Sequence, residues 1–280
     1  MGSGKPAVLL LSGGLDSVTL LANTVRNGWS VHALSFSYGQ RHGNELELAA
    51  RAAKRYGARE HKVVSIDLRA FGGSALTADI DVPAGTDETP DSEHVPITYV
   101  PARNTIFLSF ALAWAEVLNA ADIFIGVNAL DYSGYPDCRP EFIAAYEALA
   151  NLATAASAAK RVQIRVHAPL IHLTKREIVH LGSALGVDYS ETTSCYDPDR
   201  EGRACGRCDA CMLRLRGFAQ ARLQDPAPYA PDAPENPGRR TSRVVNDSAS
   251  ERRQEHDHTG SRNSSDTPRS TPIPNEPSRQ

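Results

Sequence analysis

The feature that most constrains the fold is a short apolar run that leads directly into a glycine-rich turn. Residues 7–11 are all apolar, and Ser12-Gly13-Gly14-Leu15-Asp16-Ser17 follows them. A wholly apolar run of this length is typical of a strand buried on both faces of a parallel sheet. Over residues 17–26 the apolar spacing becomes helical, and Asn27-Gly28 ends it. The chain therefore begins with a buried strand, a tight turn and a helix.

The rest of the pattern alternates strands with helices. Further strands are predicted at residues 31–36, 61–66, 123–127 and 162–166, and helices at residues 45–56, 105–119 and 141–159. A capping box of Thr174 and Glu177 opens a helix that runs to Leu185, and Gly186 stops it. This alternation predicts an α/β fold, doubly wound around a mostly parallel sheet. Residues 71–98 break the rhythm, as a lid, a binding loop or a disordered insertion does.

Composition divides the chain near its C-terminal end. Beyond Pro237 the apolar residues are Val244, Val245, Ala249 and Ile273. They bury too little surface to offset the entropy of ordering that stretch. We therefore predict an α/β domain over residues 1–189, a metal-binding segment of helix and loop over residues 190–224, and a Pro-rich, polar, disordered tail over residues 225–280.

Charge and hydropathy exclude several classes of protein. The formal net charge is -3 without a broad basic region, which argues against a surface for nucleic-acid backbones. No apolar run approaches the length of a membrane span, and the first residues lack the apolar core of a signal peptide. We expect a cytoplasmic protein with no membrane or nucleic-acid partner. In that compartment its five cysteines are metal ligands or reactive thiols rather than a disulfide framework.

The turn at residues 12–17 has the chemistry of a phosphate loop. Its two glycines let backbone N–H groups approach an anion, and the helix behind them adds a partial positive charge. Ser12 and Ser17 can donate hydroxyl hydrogen bonds, while Asp16 can hold the Mg²⁺ that accompanies ATP. The motif is neither GxxxxGK[ST] nor GxGxxG. The plain alternative is an ordinary glycine-rich turn between a strand and a helix.

Four cysteines form the second motif: Cys195, Cys205, Cys208 and Cys211. Thiolates three residues apart can turn towards one point, and a fourth from a loop completes a tetrahedral sulfur set. Such a set suits Zn²⁺ or an iron–sulfur cluster. Zinc is favoured because nothing else in the chain indicates redox chemistry. Four protein ligands leave no open position, so this zinc is expected to be structural.

Three further loops follow strands or precede helices, where α/β sheets bind ligands. They are Tyr38-Gly39-Gln40-Arg41-His42, Val100-Pro101-Ala102-Arg103-Asn104 and Asp131-Tyr132-Ser133-Gly134-Tyr135-Pro136-Asp137-Cys138-Arg139. Each combines turn residues with charged or aromatic groups. Three such loops at one edge of the sheet favour a pocket.

These motifs carry a resemblance to a known family. SGGLDS resembles the pyrophosphate loop of the ATP pyrophosphatases, which have an adenine nucleotide α-hydrolase-like fold and cleave ATP to AMP and pyrophosphate. Together with YGQRH, VPARN, SGYPDCR and the four spaced cysteines, it is similar to the 7-cyano-7-deazaguanine synthases of queuosine-precursor biosynthesis. The similarity extends from about Val8 to about Leu223 in family order. Members commonly have glycine where this chain has Ala102.

The resemblance implies a reaction and its participants. Members convert 7-carboxy-7-deazaguanine, ammonia and two ATP molecules into the nitrile 7-cyano-7-deazaguanine (preQ0), through an adenylated carboxylate and an adenylated amide. It implies one structural Zn²⁺, ATP as co-substrate with Mg²⁺, and a homodimer. The residues that it assigns to nucleotide binding are Leu11, Ser12, Gly13, Gly14, Leu15, Asp16, Ser17, Val18, Thr19, Leu20 and Leu21. Those that we assign to catalysis are Asp16, Ser17, Arg103, Arg139 and Asp137, since guanidinium pairs bidentately with carboxylate or phosphate.

Two other functions fit parts of the pattern. A tRNA thiolase of the same superfamily needs a reactive cysteine near ATP, and Cys138 lies on a ligand-side loop. A zinc-stabilised nucleotide sensor would bind ATP without chemistry. The absence of a basic region argues against the thiolase, and Asp16 with three additional loops argues against the sensor.

Overall fold

The apolar runs form a single parallel sheet. The computed structural model describes residues 4–40, 44–85, 95–130 and 134–235. Its strands are β1 (Pro6–Leu10), β2 (Ser30–Ser37), β3 (Glu60–Ser65), β4 (Asp122–Phe124) and β5 (Arg165–His167). Their order is β3-β2-β1-β4-β5, and every neighbouring pair is parallel. The connections run outward in opposite directions from β1, so a crevice opens between the carboxyl ends of β1 and β4, where such sheets bind ligands.

Helices cover both faces of the sheet. They are α1 (Leu15–Arg26), α2 (Asn44–Arg55), α3 (Arg103–Leu118), α4 (Pro140–Ala153), α5 (Ala155–Ala158), α6 (Lys175–Ala184) and α7 (Asp209–Gln220). Alternate side chains of β1 enter separate cores, because successive strand residues point to opposite faces. Val8 and Leu10 pack in the core that contains α3 and α4. Ala7 and Leu9 pack in the core of α1, α2, α6 and α7, which confirms the doubly wound α/β prediction.

Several element bounds differ from the sequence prediction. The long helix predicted at residues 141–159 is broken at Thr154, which adopts an extended backbone and whose hydroxyl accepts a hydrogen bond from Ser157 N. A side chain that caps a helix start thus interrupts an alanine-rich stretch. β4 ends at Phe124 rather than residue 127, because Gly126 and Val127 leave the sheet to line a cavity. Helix α7 lies in the segment predicted to consist of helix and loop, although its bounds were not predicted.

The boundary predicted at residue 225 needs correction. Asp225 is fully buried, and Tyr229 and Ala233 pack among the four cysteines. The backbone of Ala204, within the metal-binding segment, pairs with Pro228 and Ala230 at 2.9 Å each. Packed structure therefore continues through residue 233. The remainder of the predicted tail, residues 236–280, lies outside the described residues.

A buried ion pair attaches this C-terminal stretch to α7. Arg214 donates to both carboxylate oxygens of Asp225, at 2.7 and 2.9 Å. The two side chains are only 3% and 0% exposed. Arg214 also donates to the Thr192 hydroxyl and to the Tyr189 carbonyl, each at 2.8 Å. One guanidinium thus connects α7, the C-terminal stretch and the loop that leads into the metal-binding segment.

We predict that Asp225→Ala lowers the free energy of unfolding by about 3–5 kcal/mol, because it leaves a buried guanidinium without its counter-charge. The matched control is Asp232→Ala, whose carboxylate pairs with Arg207 at 3.3 Å while both side chains are more than half exposed. An exposed pair contributes at most about 1 kcal/mol. Urea unfolding near neutral pH measures both variants, and equal losses would contradict the prediction.

Candidate active site

The phosphate loop between β1 and α1 is closed by its own hydrogen bonds. The Ser17 hydroxyl donates to Gly14 O at 3.1 Å and accepts from Ser12 N at 3.2 Å. Gly13 has φ +84°, and a Cβ there would lie 2.5 Å from the carbonyl oxygen of Glu45. Only glycine fits both the left-handed backbone and the close approach of α2. The loop therefore presents its backbone and the start of α1 as an anion site.

Lys175, which the sequence analysis did not identify, forms an ion pair with Asp16, the acidic residue of this loop. The Lys175 ammonium group lies 2.8 Å from each carboxylate oxygen of Asp16. The two side chains are 8% and 20% exposed. Lys175 is the first residue of α6, where a positive charge opposes the helix dipole. That unfavourable position was a signal in the sequence. The assignment of Asp16 to Mg²⁺ stays a prediction.

The predicted loops meet around one cavity of about 240 Å³ at the carboxyl ends of β1, β2 and β4. The lining residues that belong to the predicted motifs are Leu11, Ser12, Gly14, Leu15, Asp16, Ser17, Tyr38, Gln40, Arg103, Asn104, Tyr135, Cys138 and Cys195. Other parts of the chain add residues that were not predicted, among them Glu45, Leu76, Asn128, Thr193, Ser194 and Tyr196. Leu76 belongs to the irregular insertion, which thus contributes to binding-site structure.

Opposite charges face each other on the β2 side of this cavity. Burial raises the pKa of the Glu45 carboxyl to about 7, although the nearby Arg103 guanidinium opposes the shift. Burial also raises the pKa of Tyr38, which lies beside the same arginine. Near neutral pH, Arg103 is therefore a fixed cation and Glu45 is divided between its two protonation states. The predicted Arg41 and His42, on the same loop as Tyr38, lie outside the described residues.

Asp137 supports the start of α3 rather than lining the cavity. Its carboxylate accepts from Asn104 N at 3.0 Å, and the Asn104 side chain donates to the Asp137 carbonyl at 3.0 Å. Ala102, just before α3, has φ +53°. That left-handed conformation accounts for the glycine that family members commonly have there, since glycine adopts it without strain. Arg139 is exposed at the start of α4 and does not line the cavity.

The remaining predicted residues lie beneath or beyond the cavity. Val18, Leu20 and Leu21 are buried on α1 in the core that it shares with α6. The Thr19 hydroxyl donates to Leu15 O at 2.8 Å and lies 2.9 Å from the Tyr189 hydroxyl. The assignment of these four residues to nucleotide binding, and of Asp137 and Arg139 to catalysis, stays a prediction. Asp131, Tyr132 and Ser133 lie outside the described residues.

The four predicted cysteines converge on one point. The sulfur atoms of Cys195, Cys205, Cys208 and Cys211 all lie within 4.8 Å of one another, and all four residues are buried. Backbone N–H groups point at the sulfurs, including Cys205 N to Cys195 Sγ at 3.2 Å and Cys208 N to Cys205 Sγ at 3.4 Å. Such donors favour thiolates, the form that binds metal. The set has the donors and the spacing of a closed metal site.

The four-cysteine cluster lies next to the glycine-rich loop at the cavity. Thr193 N donates to Gly13 O at 3.2 Å, two residues before the first cysteine ligand. A Cβ on Gly14 would lie 3.1 Å from Thr193 O. Thr193, Ser194 and Cys195 all line the cavity. The metal-binding segment therefore contributes directly to the site.

A parallel sheet with SGGLDS at its reversal point and a cavity at its carboxyl edge defines a nucleotide-binding α/β protein of the ATP pyrophosphatase class. The four converging cysteines beside the cavity distinguish the chain within this class. The chain belongs to the family described as "Queuosine biosynthesis protein QueC", whose profile matches residues 6–222.

Curated relatives agree with this assignment. A protein named 7-cyano-7-deazaguanine synthase from Desulfatibacillum aliphaticivorans is 63% identical over 227 residues, which are 81% of this chain and 97% of the relative. One of the same name from Paramagnetospirillum magneticum is 60% identical over 226 residues, covering 81% and 99%. The solved NMN synthetase of Francisella tularensis is similar at a TM-score of 0.43 and 18% identity, covering 79% of each chain.

Among the described residues, no helix combines the length and the apolar character needed to cross a bilayer.

Proposed function

We propose that this protein is a 7-cyano-7-deazaguanine synthase, an AMP-forming ATP-dependent ligase that converts 7-carboxy-7-deazaguanine and ammonia into the nitrile. The main support for the proposal is that the phosphate loop and the cation Arg103 line the same cavity. The names of relatives that match over nearly their whole length support the same activity. Participation in queuosine biosynthesis follows from the family.

The chemistry needs an anion site beside a carboxylate site. A carboxylate is a poor electrophile, so its oxygen must be converted into a leaving group before ammonia can displace it. The phosphate loop, with Ser12 and Ser17, binds the ATP phosphates, and Asp16 with Lys175 lies at the same end of the cavity. Arg103 holds the substrate carboxylate or the developing charge at phosphorus. Two oxygens leave the carbon, so one nitrile requires two ATP molecules.

The alternative of a thiolase needs a nucleophilic thiol at the cavity. Cys138 lines the cavity, but burial raises the pKa of its thiol to about 12, and the neighbouring Asp137 adds to the shift. A thiol with that pKa is almost wholly protonated near neutral pH, whereas the thiolate is the nucleophile. This observation favours the nitrile synthase.

The test is incubation of the protein with ATP, Mg²⁺, ammonium and 7-carboxy-7-deazaguanine, followed by mass spectrometry. We expect the nitrile with two AMP per molecule, and the amide as an intermediate when ATP is limiting. Asp16→Ala and Ser17→Ala are expected to lower turnover by at least about a hundredfold, since Asp16 is assigned to the metal ion of ATP and Ser17 to its phosphates. Glu47→Gln, exposed on α2, is the control. ADP in place of AMP would overturn the proposal.

The proposal includes one structural Zn²⁺ held by Cys195, Cys205, Cys208 and Cys211. A buried set of four sulfurs supports zinc, which favours tetrahedral thiolate coordination. A cytoplasmic location belongs to the same proposal. It is supported by the five cysteines, none of which forms a disulfide, since structural disulfides are rare in reducing compartments.

We expect elemental analysis to give one zinc per chain, and Cys208→Ala to lose that zinc together with roughly 4 kcal/mol or more of folding free energy. Cys138→Ala, the fifth cysteine, is the matched control and is expected to retain full zinc content. Zinc content by mass spectrometry and thermal unfolding by circular dichroism give the two readouts. Full zinc retention in Cys208→Ala, or iron in place of zinc, would exclude this assignment.

A homodimer is the last part of the proposal. α3 and α4 lie side by side, joined by the Tyr146 hydroxyl, which donates to the Ser109 hydroxyl at 3.0 Å. Their outer faces leave apolar side chains exposed, with Val117 at 78% and Leu152 at 84%. Exposed apolar side chains on two helices of the same face of the sheet support association with a second copy.

We expect sedimentation analysis to give twice the mass of one chain. Leu152→Glu is expected to raise the dimer dissociation constant at least about tenfold, because a carboxylate in an apolar interface costs more than about 1.4 kcal/mol. Leu223→Glu is the control, since Leu223 is 39% exposed beyond α7, on the other side of the sheet. A monomeric wild type, or equal behaviour of both variants, would refute the proposed interface.

A further inference from the structure

The reaction proposed above removes protons from nitrogen at every stage, and this inference rests on that proposed function. Ammonia carries three protons and the nitrile nitrogen carries none. The site therefore needs a group that accepts a proton near neutral pH and lies between the phosphate loop and Arg103, where the reacting carbon must sit. The described residues that line the cavity include few groups able to do so.

Most titratable groups of the cavity are excluded by their contacts or by their pKa. Both carboxylate oxygens of Asp16 are taken by the Lys175 ammonium group. Cys195 belongs to the metal set. Burial raises the pKa of Tyr135 and that of Cys138, the latter to about 12, so both are already protonated near neutral pH.

Glu45 has the position that the chemistry requires. It lies in the first turn of α2 and lines the cavity together with the phosphate loop and Arg103. Its backbone is fixed against that loop, because its carbonyl oxygen occupies the space where a Cβ on Gly13 would lie. The described charged and titratable groups that face it are Arg103 from α3 and Tyr38 beyond β2. Glu45 thus lines the cavity with its backbone against the anion site, and its carboxylate lies near enough to the Arg103 guanidinium for the two charges to interact.

We propose that the Glu45 carboxylate is the catalytic base that accepts the protons released by the substrate nitrogen. In the first half-reaction the ammonia lone pair attacks the acyl carbon of the carboxyl adenylate and forms the C–N bond. One proton moves from nitrogen to Glu45, and the C–O bond breaks with its electron pair leaving on AMP. Glu45 returns the proton to solvent before the second half-reaction.

The second half-reaction uses the same base on the same nitrogen. The amide oxygen attacks the α-phosphorus of a second ATP and releases pyrophosphate, while one N–H proton passes to Glu45. After that proton is lost to solvent, the last N–H proton passes to Glu45 as the C–O bond breaks. Its electron pair leaves on the second AMP, and the former N–H electrons complete the C≡N bond.

The test compares Glu45→Gln with wild type at a fixed concentration of free ammonia across the pH range. A base works when deprotonated, so wild-type kcat is expected to rise through the Glu45 pKa of about 7 and to be lost below it. Glu45→Gln is expected to lower kcat about 10²–10⁴-fold and to abolish that acid limb, while the KM for 7-carboxy-7-deazaguanine and the affinity for ATP stay close to wild type. Glu45→Asp restores part of the rate.

The control variant and the other possible results for Glu45→Gln also test the proposed role of Glu45. The control Glu47→Gln, on the exposed face of the same helix, is expected to retain the wild-type profile. If Glu45→Gln keeps the wild-type kcat and acid limb, Glu45 is not the base. If it raises KM with kcat unchanged, Glu45 binds the deazaguanine ring instead, and the inference also fails. If the wild-type protein forms no nitrile, the proposed function itself is wrong. That result comes from the wild-type assay alone, so it is distinguished from a failure of the role assigned to Glu45.

Discussion

The close approach of other elements to Gly13 is the constraint on which the rest of the site depends. The carbonyl oxygen of Glu45 lies where a side chain on Gly13 would begin, and Thr193 N donates to the Gly13 carbonyl. One glycine thus brings together the end of β1, the start of α2 and the stretch just before Cys195. The anion site, the proposed base and the cavity wall next to the cysteines are fixed relative to one another by this packing.

Pairs of opposite charges are the second feature on which the site depends. Burying a charged group is costly unless an opposite charge or hydrogen bonds compensate it. Lys175 compensates Asp16, and Glu45 lies near Arg103. In the proposed reaction, ATP, its metal ion and a carboxylate substrate would all bring charges into this crevice. Each pair reduces the cost of burying a charged group at the cavity.

Local patterns sufficed where a single stretch of chain decides the structure. The apolar run of β1, the glycine turn after it and the capping box of Thr174 and Glu177 were all predicted and are confirmed. Predictions failed where a single side chain outweighed the pattern of the residues around it. The alanine-rich helix breaks because Thr154 caps a new one, and Asp225 lies in a packed stretch because Arg214 requires a buried counter-charge.

The sequence by itself determined the α/β class, the glycine-rich turn after β1 and the set of four cysteines that converge, because each depends on residue types at short, fixed spacing. Tertiary structure alone decided which distant groups share the cavity. Lys175 meets Asp16 across 159 positions of sequence, and Glu45 looks like an ordinary acid in the first turn of a helix, where the helix dipole favours it. Spacing along the chain carries no information about such contacts, since they arise only when the reversal at β1 brings separate loops to one edge of the sheet.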